Sequence, residues 1–287
     1  VSHLGGVIAA APNVRKPEFL ASGEGAPIPE SLLGVDEHFR VQVGPPTASL
    51  SVCVLHPSRE LPKATILVVH GMGARSAWML PKARALVDQG YRAVLVDLRG
   101  HGASTGKLLS YGLRESQDLS HVIDELERRD LLAGELGVYG ISYGATTAIH
   151  LAAIDSRVNT VVAVAPFSDM RSEVSHYIRR IGLPGVGVLL PEETIQTAVD
   201  EAGELGGYEP DDADAAIAIG RARVPVLLIH GKADRIIPSE HSHRLHQSAP
   251  HTSQLVELRA AGHLSVWLDP LNRVESQAID WFERHLQ

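Results

Sequence analysis

One cysteine, Cys53, stands in a chain of 287 residues, so no intrachain disulfide can form. It lies in the apolar run Ser51-Val52-Cys53-Val54-Leu55, which reads as a strand and makes Cys53 a buried small hydrophobe. No window approaches the roughly 18 consecutive apolar residues that a membrane-spanning helix needs, and none is expected. Positive charge is scarce, because 26 Lys and Arg stand against 34 Asp and Glu for a formal net charge of −8. The chain therefore has no basic stripe able to displace counterions from a phosphate backbone, and nucleic acid is a poor partner for it.

What is present suits a globular chain. Hydrophobic residues make up 44% and charged residues 21%, within the range that lets a chain bury a sizeable core. The length fits one large α/β domain carrying an insertion. Residues 1 to about 34 are rich in Gly, Pro and Ala without periodicity and read as an N-terminal arm that wraps the domain or stays mobile. Within them, Val7-Ile8-Ala9-Ala10-Ala11-Pro12 reads either as what remains of a processed export signal or as part of that arm, which leaves the compartment open.

From residue 35 to 287 the pattern alternates between strand and helix. Phe39, Val41 and Val43 share one strand face, and Leu50 to Leu55 follows the Pro45-Pro46 turn, which predicts an antiparallel hairpin. Continuous apolar runs then recur at Thr65–His70, Ala93–Asp97, Leu136–Tyr139, Val161–Ala165 and Val226–His230, with a last strand at Gln254–Leu258. Such runs predict strands covered on both faces. Between them Met79, Ala83, Leu86 and Val87, then Leu119, Val122, Ile123 and Leu126, keep the spacing of one buried helix face. Leu271, Val274, Ala278 and Phe282 repeat it after Pro270. The alternation predicts a mostly parallel, twisted sheet of about eight strands with helices on both faces, and ligands beyond the carboxyl ends of the strands.

One segment, about 167–222, breaks the alternation and reads as a small helical cap insertion. From Ile181 to Gly220 it holds no Lys or Arg and nine acidic residues. That is either a solvated acidic surface or a cap that repels anionic substrates.

The chemistry gathers at the strand ends. Gly140-Ile141-Ser142-Tyr143-Gly144 fits G-x-S-x-G and stands between an apolar strand and a small-residue helix start, the context of a nucleophile elbow. The glycines allow a strained turn against neighbouring backbone. Serine is a weak nucleophile and needs a base that a third group holds in line. Asp234, in the loop after Val226–His230, and His263, in the loop after the last strand, complete the chain order Ser, Asp, His. Asp169, after the preceding strand, is the rival acid. His70-Gly71-Met72-Gly73 follows the first parallel strand, so the backbone N–H of Met72 can join that of Tyr143 as an oxyanion hole. His70 reads as packing under that loop.

Taken together, His70 to Gly73, Asp97-Leu98-Arg99-Gly100-His101-Gly102, Gly140 to Gly144, His230 to Asp234 and Gly262-His263 resemble the α/β-hydrolase superfamily over residues 37 to 287. Ser142 followed by Tyr143, with the Asp234-Arg235-Ile236-Ile237-Pro238 loop, is similar to the branch that links small bacterial carboxylesterases to prolyl-oligopeptidase-type hydrolases. The resemblance implies hydrolysis through an acyl-enzyme, without metal or organic cofactor. The chain lacks the longer glycine run of the hormone-sensitive-lipase type where Met72 stands. Arg99 and His101 belong to a landmark tied to loop structure, not to catalysis.

Two further groups invite chemistry. His241, His243, His246 and His251 cluster closely, with 243 and 246 on one helix face, as a metal site or as a hydrated helix. Trp78, Tyr177 and Trp267 line a pocket or serve as ordinary packing. The leading function is a carboxylesterase for a small neutral ester. A peptidase is the runner-up, and thioester or lactone hydrolysis shares the same acyl-enzyme. A non-catalytic binding protein on the same scaffold is the other class. Dehalogenase and epoxide-hydrolase chemistry would need a carboxylate, and dienelactone hydrolysis a cysteine, where Ser142 stands.

Overall fold

The apolar runs become strands because successive side chains point to opposite faces of a sheet, and both faces are covered here. Leu67 and Val69 enter one hydrophobic core while Ile66 and Val68 enter the other. The computed structural model describes residues 3–15, 34–58, 61–182 and 187–286. Its strands are β1 (Glu37–Val43), β2 (Ala48–Leu55), β3 (Thr65–Val69), β4 (Arg92–Asp97), β5 (Leu136–Ile141), β6 (Val158–Val164), β7 (Val226–Gly231) and β8 (Ser253–Leu258). They form one 8-stranded sheet in the order β1-β2-β4-β3-β5-β6-β7-β8. The β1–β2 hairpin is antiparallel, β2 also runs against β4, and every later pairing is parallel.

Helices follow as α1 (His3–Ala9), α2 (Pro12–Arg15), α3 (Leu80–Asp88), α4 (Leu113–Arg128), α5 (Tyr143–Ile154), α6 (Met170–Tyr177), α7 (Glu192–Gly206), α8 (Ala215–Ala222), α9 (Glu240–Ser248), α10 (His263–Leu268) and α11 (Arg273–His285). Leu119 of α4, Ile149 of α5, Ile219 of α8 and Leu245 of α9 share the core on one face of the sheet. Ala83 of α3 and Phe282 of α11 share the core on the other. β3 and β5 thus lie at the centre, and their carboxyl ends are framed by both layers.

Two segments differ from a plain reading of periodicity. Leu271 is not on the buried face of α11 but exposed, because α11 begins only at Arg273. The Asp269 carboxylate sets that start by accepting from the N–H groups of Arg273, Val274 and Glu275, each at 2.8 Å, which satisfies donors that no carbonyl of the helix can reach. Between β6 and β7, the chain forms helices and no strand among the described residues. Of these, α8 lies in the sheet's helix layer against α5 and α9, whereas α7 packs against α1 and α6.

The described part of the N-terminal stretch is docked. Ala11 N–H donates to Lys107 O at 2.9 Å, and Leu109 N–H donates to Ala9 O at 2.9 Å. Ile8, Ala9 and Ala11 are buried. Residues 16–33, the rest of the expected arm, lie outside the described residues.

Candidate active site

Ser142 stands between the last residue of β5 and the first of α5, with φ +56°. A non-glycine residue in that region is strained and persists only where its surroundings fix it. The fixing contacts are visible. Ser142 N–H donates to Val164 O at 2.7 Å. A Cβ on Gly140 would stand 2.4 Å from Gly144 O, and one on Gly144 would stand 2.4 Å from His70 O. Strand, turn and helix therefore meet at distances that only glycine permits.

The imidazole comes from the far side. His263 opens α10 with its side chain 11% exposed, Nε2 at 3.2 Å from Ser142 Oγ and Nδ1 at 2.7 Å from Asp234 Oδ2. Asp234 is ionised and can only accept, so the imidazole N–H at Nδ1 points to it and Nε2 is left to accept from the Ser142 hydroxyl. The two loops are held together by a close approach, since a Cβ on Gly231 would sit 2.3 Å from Ala261 O. Ala233 N–H donates to that same carbonyl at 2.9 Å.

The Asp234 carboxylate is held by two backbone donors and two imidazoles. Its Oδ1 accepts from Ile236 N–H and Ile237 N–H, both at 2.9 Å. Burial favours the neutral carboxyl, but the His230 and His263 imidazoles and the Ile237 N–H outweigh it and hold Asp234 well below the usual carboxylate range. His230 stands beside this carboxylate and was not singled out by sequence reasoning. Fully buried under the loop, it donates from Nε2 to Ile237 O at 2.9 Å and accepts at Nδ1 from Ser242 Oγ at 2.6 Å. Its ring lies 3.6 Å from Asp234 Oδ2. The only hint was its spacing, four positions before Asp234.

The rival acid is occupied elsewhere. Asp169 caps α6 by accepting from Ser172 N–H at 2.8 Å, and its Oδ2 takes Ser168 Oγ at 2.8 Å and Arg244 Nη1 at 2.8 Å. It shares no hydrogen bond with His263 among the described residues. The Met72 and Tyr143 backbone N–H groups have no protein acceptor among the described residues. For Tyr143 this is the orphan donor of a helix's first residue. Its side chain points away, with the hydroxyl accepting from Tyr111 N–H at 3.0 Å. Gly71 passes over Ser142, where a Cβ on it would stand 3.3 Å from Ser142 Cβ.

The surrounding residues are scaffold. Burial holds His70 down to about 4, against its backbone hydrogen bond to Gly71, and its Nε2 accepts from Leu98 N–H at 3.0 Å. It thus ties the loop after β3 to the loop after β4. Arg99 makes a paired hydrogen bond to Asp118 of α4 at 2.6 and 2.7 Å, both side chains buried. Burial likewise pushes His101 down to about 3, with the nearby His70 assisting. The clustered histidines go to separate partners: His241 to Ser168, His243 to Glu257 and His246 to Ser253. Trp78 and Trp267 stack at 5.6 Å between ring centroids, and Trp78 and Tyr177 are exposed. Glu173, which no sequence signal singled out, is buried on α6 beside the Asp234 loop.

Residues 47–202 match the model of the X-Pro dipeptidyl-peptidase family, S15. The chain belongs to that family. The S15 match covers Ser142 and ends before Asp234 and His263, so their placement rests on the geometry above. YqkD of Bacillus subtilis is similar, 29% identical over 186 residues, which are 64% of this chain and 59% of that protein. The chain thus spans about three fifths of that relative's length. Among solved structures, the esterase Pf2001 of Pyrococcus furiosus superposes with TM-score 0.69 at 20% identity, covering 91% of this chain and 95% of that one. The acylaminoacyl peptidase of Pyrococcus horikoshii superposes with TM-score 0.64 at 18% identity, covering 87% of this chain and 41% of that one. The chain has the α/β-hydrolase fold.

Proposed function

We propose that the protein is a serine hydrolase, and within that class a carboxylesterase cleaving small uncharged esters through an acyl-enzyme on Ser142. The observation that carries the reading is one imidazole, His263, within 3.2 Å of Ser142 Oγ and within 2.7 Å of Asp234 Oδ2. His263 takes the proton from Ser142 as the hydroxyl attacks the ester carbon and returns it to the leaving alcohol. Asp234 fixes the tautomer and stabilises the imidazolium. The N–H groups of Met72 and Tyr143 receive the oxyanion, each donor of this kind lowering the barrier by about 3 kcal/mol. Water then repeats the sequence on the acyl-enzyme, so no metal or organic cofactor enters the reaction.

The character of the surrounding surface supports an uncharged substrate. Met72, Trp78, Tyr177, Leu264 and Leu268 are exposed apolar residues on the segments that carry or flank the site. An apolar rim of this kind favours an ester with little charge. We assign α6 and α7 as the cap within 167–222, and the run of acidic residues on α7 and beyond disfavours anionic substrates. A serine peptidase is the second reading, favoured by the family's description and by the acylaminoacyl peptidase likeness.

Turnover of p-nitrophenyl acyl esters of increasing chain length, compared with aminoacyl-p-nitroanilides, separates the two. The esters are expected to turn over faster, with the shortest acyl groups preferred. Faster release from the anilides would sink the esterase reading in favour of the peptidase.

A further inference from the structure

Glu173 is a buried carboxyl whose Oε2 has no hydrogen-bond partner among the described residues. Unpaired buried acceptors are costly, and they concentrate where function requires them. Its position is close to the triad. Three residues on, and therefore on the same face of α6, His176 donates from Nε2 to Arg235 O at 3.0 Å, one residue past Asp234. On the other side His241 accepts from Ser168 N–H at Nδ1, at 3.1 Å, which places its proton on Nε2. That nitrogen is 3.5 Å from Glu173 Oε2, too far for a well-made hydrogen bond.

The charges facing Glu173 come from every element packed on it. His176 and Asp169 belong to α6 and its cap, Asp234 to the loop after β7, and His263 to α10. His241 belongs to α9, as does Arg244, which is paired to Asp169 and Asp214. On α7 the acids Glu192 and Asp200 are paired to Arg179 and Arg171. Burial pushes the Glu173 carboxyl up to about 8; His176 and His263 oppose the rise, and Asp234 and Asp169 add to it.

We propose that Glu173 is a positioning residue for His263, a second carboxyl beside the triad whose charge state sets how strongly the site stabilises the imidazolium. The proposal rests on the reading of Ser142, His263 and Asp234 as a triad. While Glu173 keeps its proton, Asp234 is the single carboxylate serving the base. Once the proton leaves to solvent, a second negative charge faces the imidazole and favours the imidazolium that forms as Ser142 attacks. No bond to substrate is made or broken at Glu173.

The test is the rate constant for labelling of Ser142 by a fluorophosphonate, followed from about pH 6 to about pH 10 with the adduct mapped by mass spectrometry. Wild type is expected to show a first rise and then a second rise near pH 8, where Glu173 ionises. The second carboxylate charge is expected to raise the rate about fivefold. Glu173→Gln is expected to keep the first rise and lose the second rise. Superimposable profiles for the two proteins, with both labelled at Ser142, would overturn the proposal and leave the triad reading standing. A label on another residue would instead remove the triad and the proposal with it. If Glu173→Gln does not fold, infrared spectra of wild type over the same range decide. A carboxylic-acid band that vanishes in step with the second rise supports the proposal, and its absence contradicts it.

Discussion

At the level of single side chains the account depends on who serves whom. His263→Ala removes the base, and Asp234→Asn leaves an amide that can stabilise neither the tautomer nor the imidazolium. Both are expected to lower kcat on an activated ester by about 10³- to 10⁴-fold, the aspartate change being the milder, in steady-state assays. Asp169→Asn separates the rival assignment. Asparagine can still accept the cap bond of α6, so the change removes only the charge paired with half-exposed Arg244 and is expected to cost less than about 1 kcal/mol in denaturant titration while kcat stays within a few-fold of wild type. A collapse of kcat there would transfer the acid's role. Ser142, Asp234 and His263 were legible in the sequence because each follows an apolar strand, where turn chemistry exposes a side chain at the sheet's edge. His230 and Glu173 were not. Their place beside Asp234 comes from burial against segments distant in sequence, and neither a histidine ending a strand nor a glutamate inside a short helix carries a local sign of that.

Among the elements, the elbow and the β4 loop hold the site in place. Gly144→Ala forces a Cβ into the His70 and Val69 carbonyls, at 2.4 and 2.5 Å, with backbone on both sides and no flexible side chain to yield. Such overpacking is expected to cost about 3 kcal/mol or abolish soluble expression, read as a shift in unfolding midpoint at unchanged slope. Breaking the buried Arg99–Asp118 pair with Asp118→Ala leaves a guanidinium uncompensated and is expected to cost about 3–5 kcal/mol in the same titration. The strands were legible because a run buried on both faces is apolar without interruption. The start of α11 was not, since Leu271 fits the helical spacing and only the Asp269 carboxylate, reaching the N–H groups of the first turn, delays the helix to Arg273. Nor did the acidic stretch after β6 announce that α8 returns to the sheet layer while α7 packs against α1. Composition records charge and period, not the partner an amphipathic helix finds.

For the molecule as a whole, buried neutral histidines set the response to acid. Burial lowers His70 to about 4, His101 to about 3 and His150 to about 4, from an ordinary value of 6.5. Below pH 6.5 the unfolded chain binds these protons and the folded chain does not. Their stabilisation is complete above 6.5 and is lost as pH falls toward 4, each group contributing a slope of up to about 1.4 kcal/mol per pH unit. Glu173 acts with the opposite sign, because its raised value makes the folded form hold a proton between 4.5 and about 8, favouring folding at the lower end of that window. Three groups against one predicts a steep net loss of stability between about pH 6 and pH 4, measurable as a falling thermal midpoint; a flat midpoint across that range would contradict the burial of the three imidazoles. Acylation at Ser142 is the claim on which the functional reading stands. Its most direct measurement is intact-protein and peptide mass spectrometry after fluorophosphonate treatment of wild type and Ser142→Ala. The account predicts a single adduct on the peptide containing Ser142 in the wild type and none in the variant. An adduct on another residue, or none on a folded wild type, would contradict it.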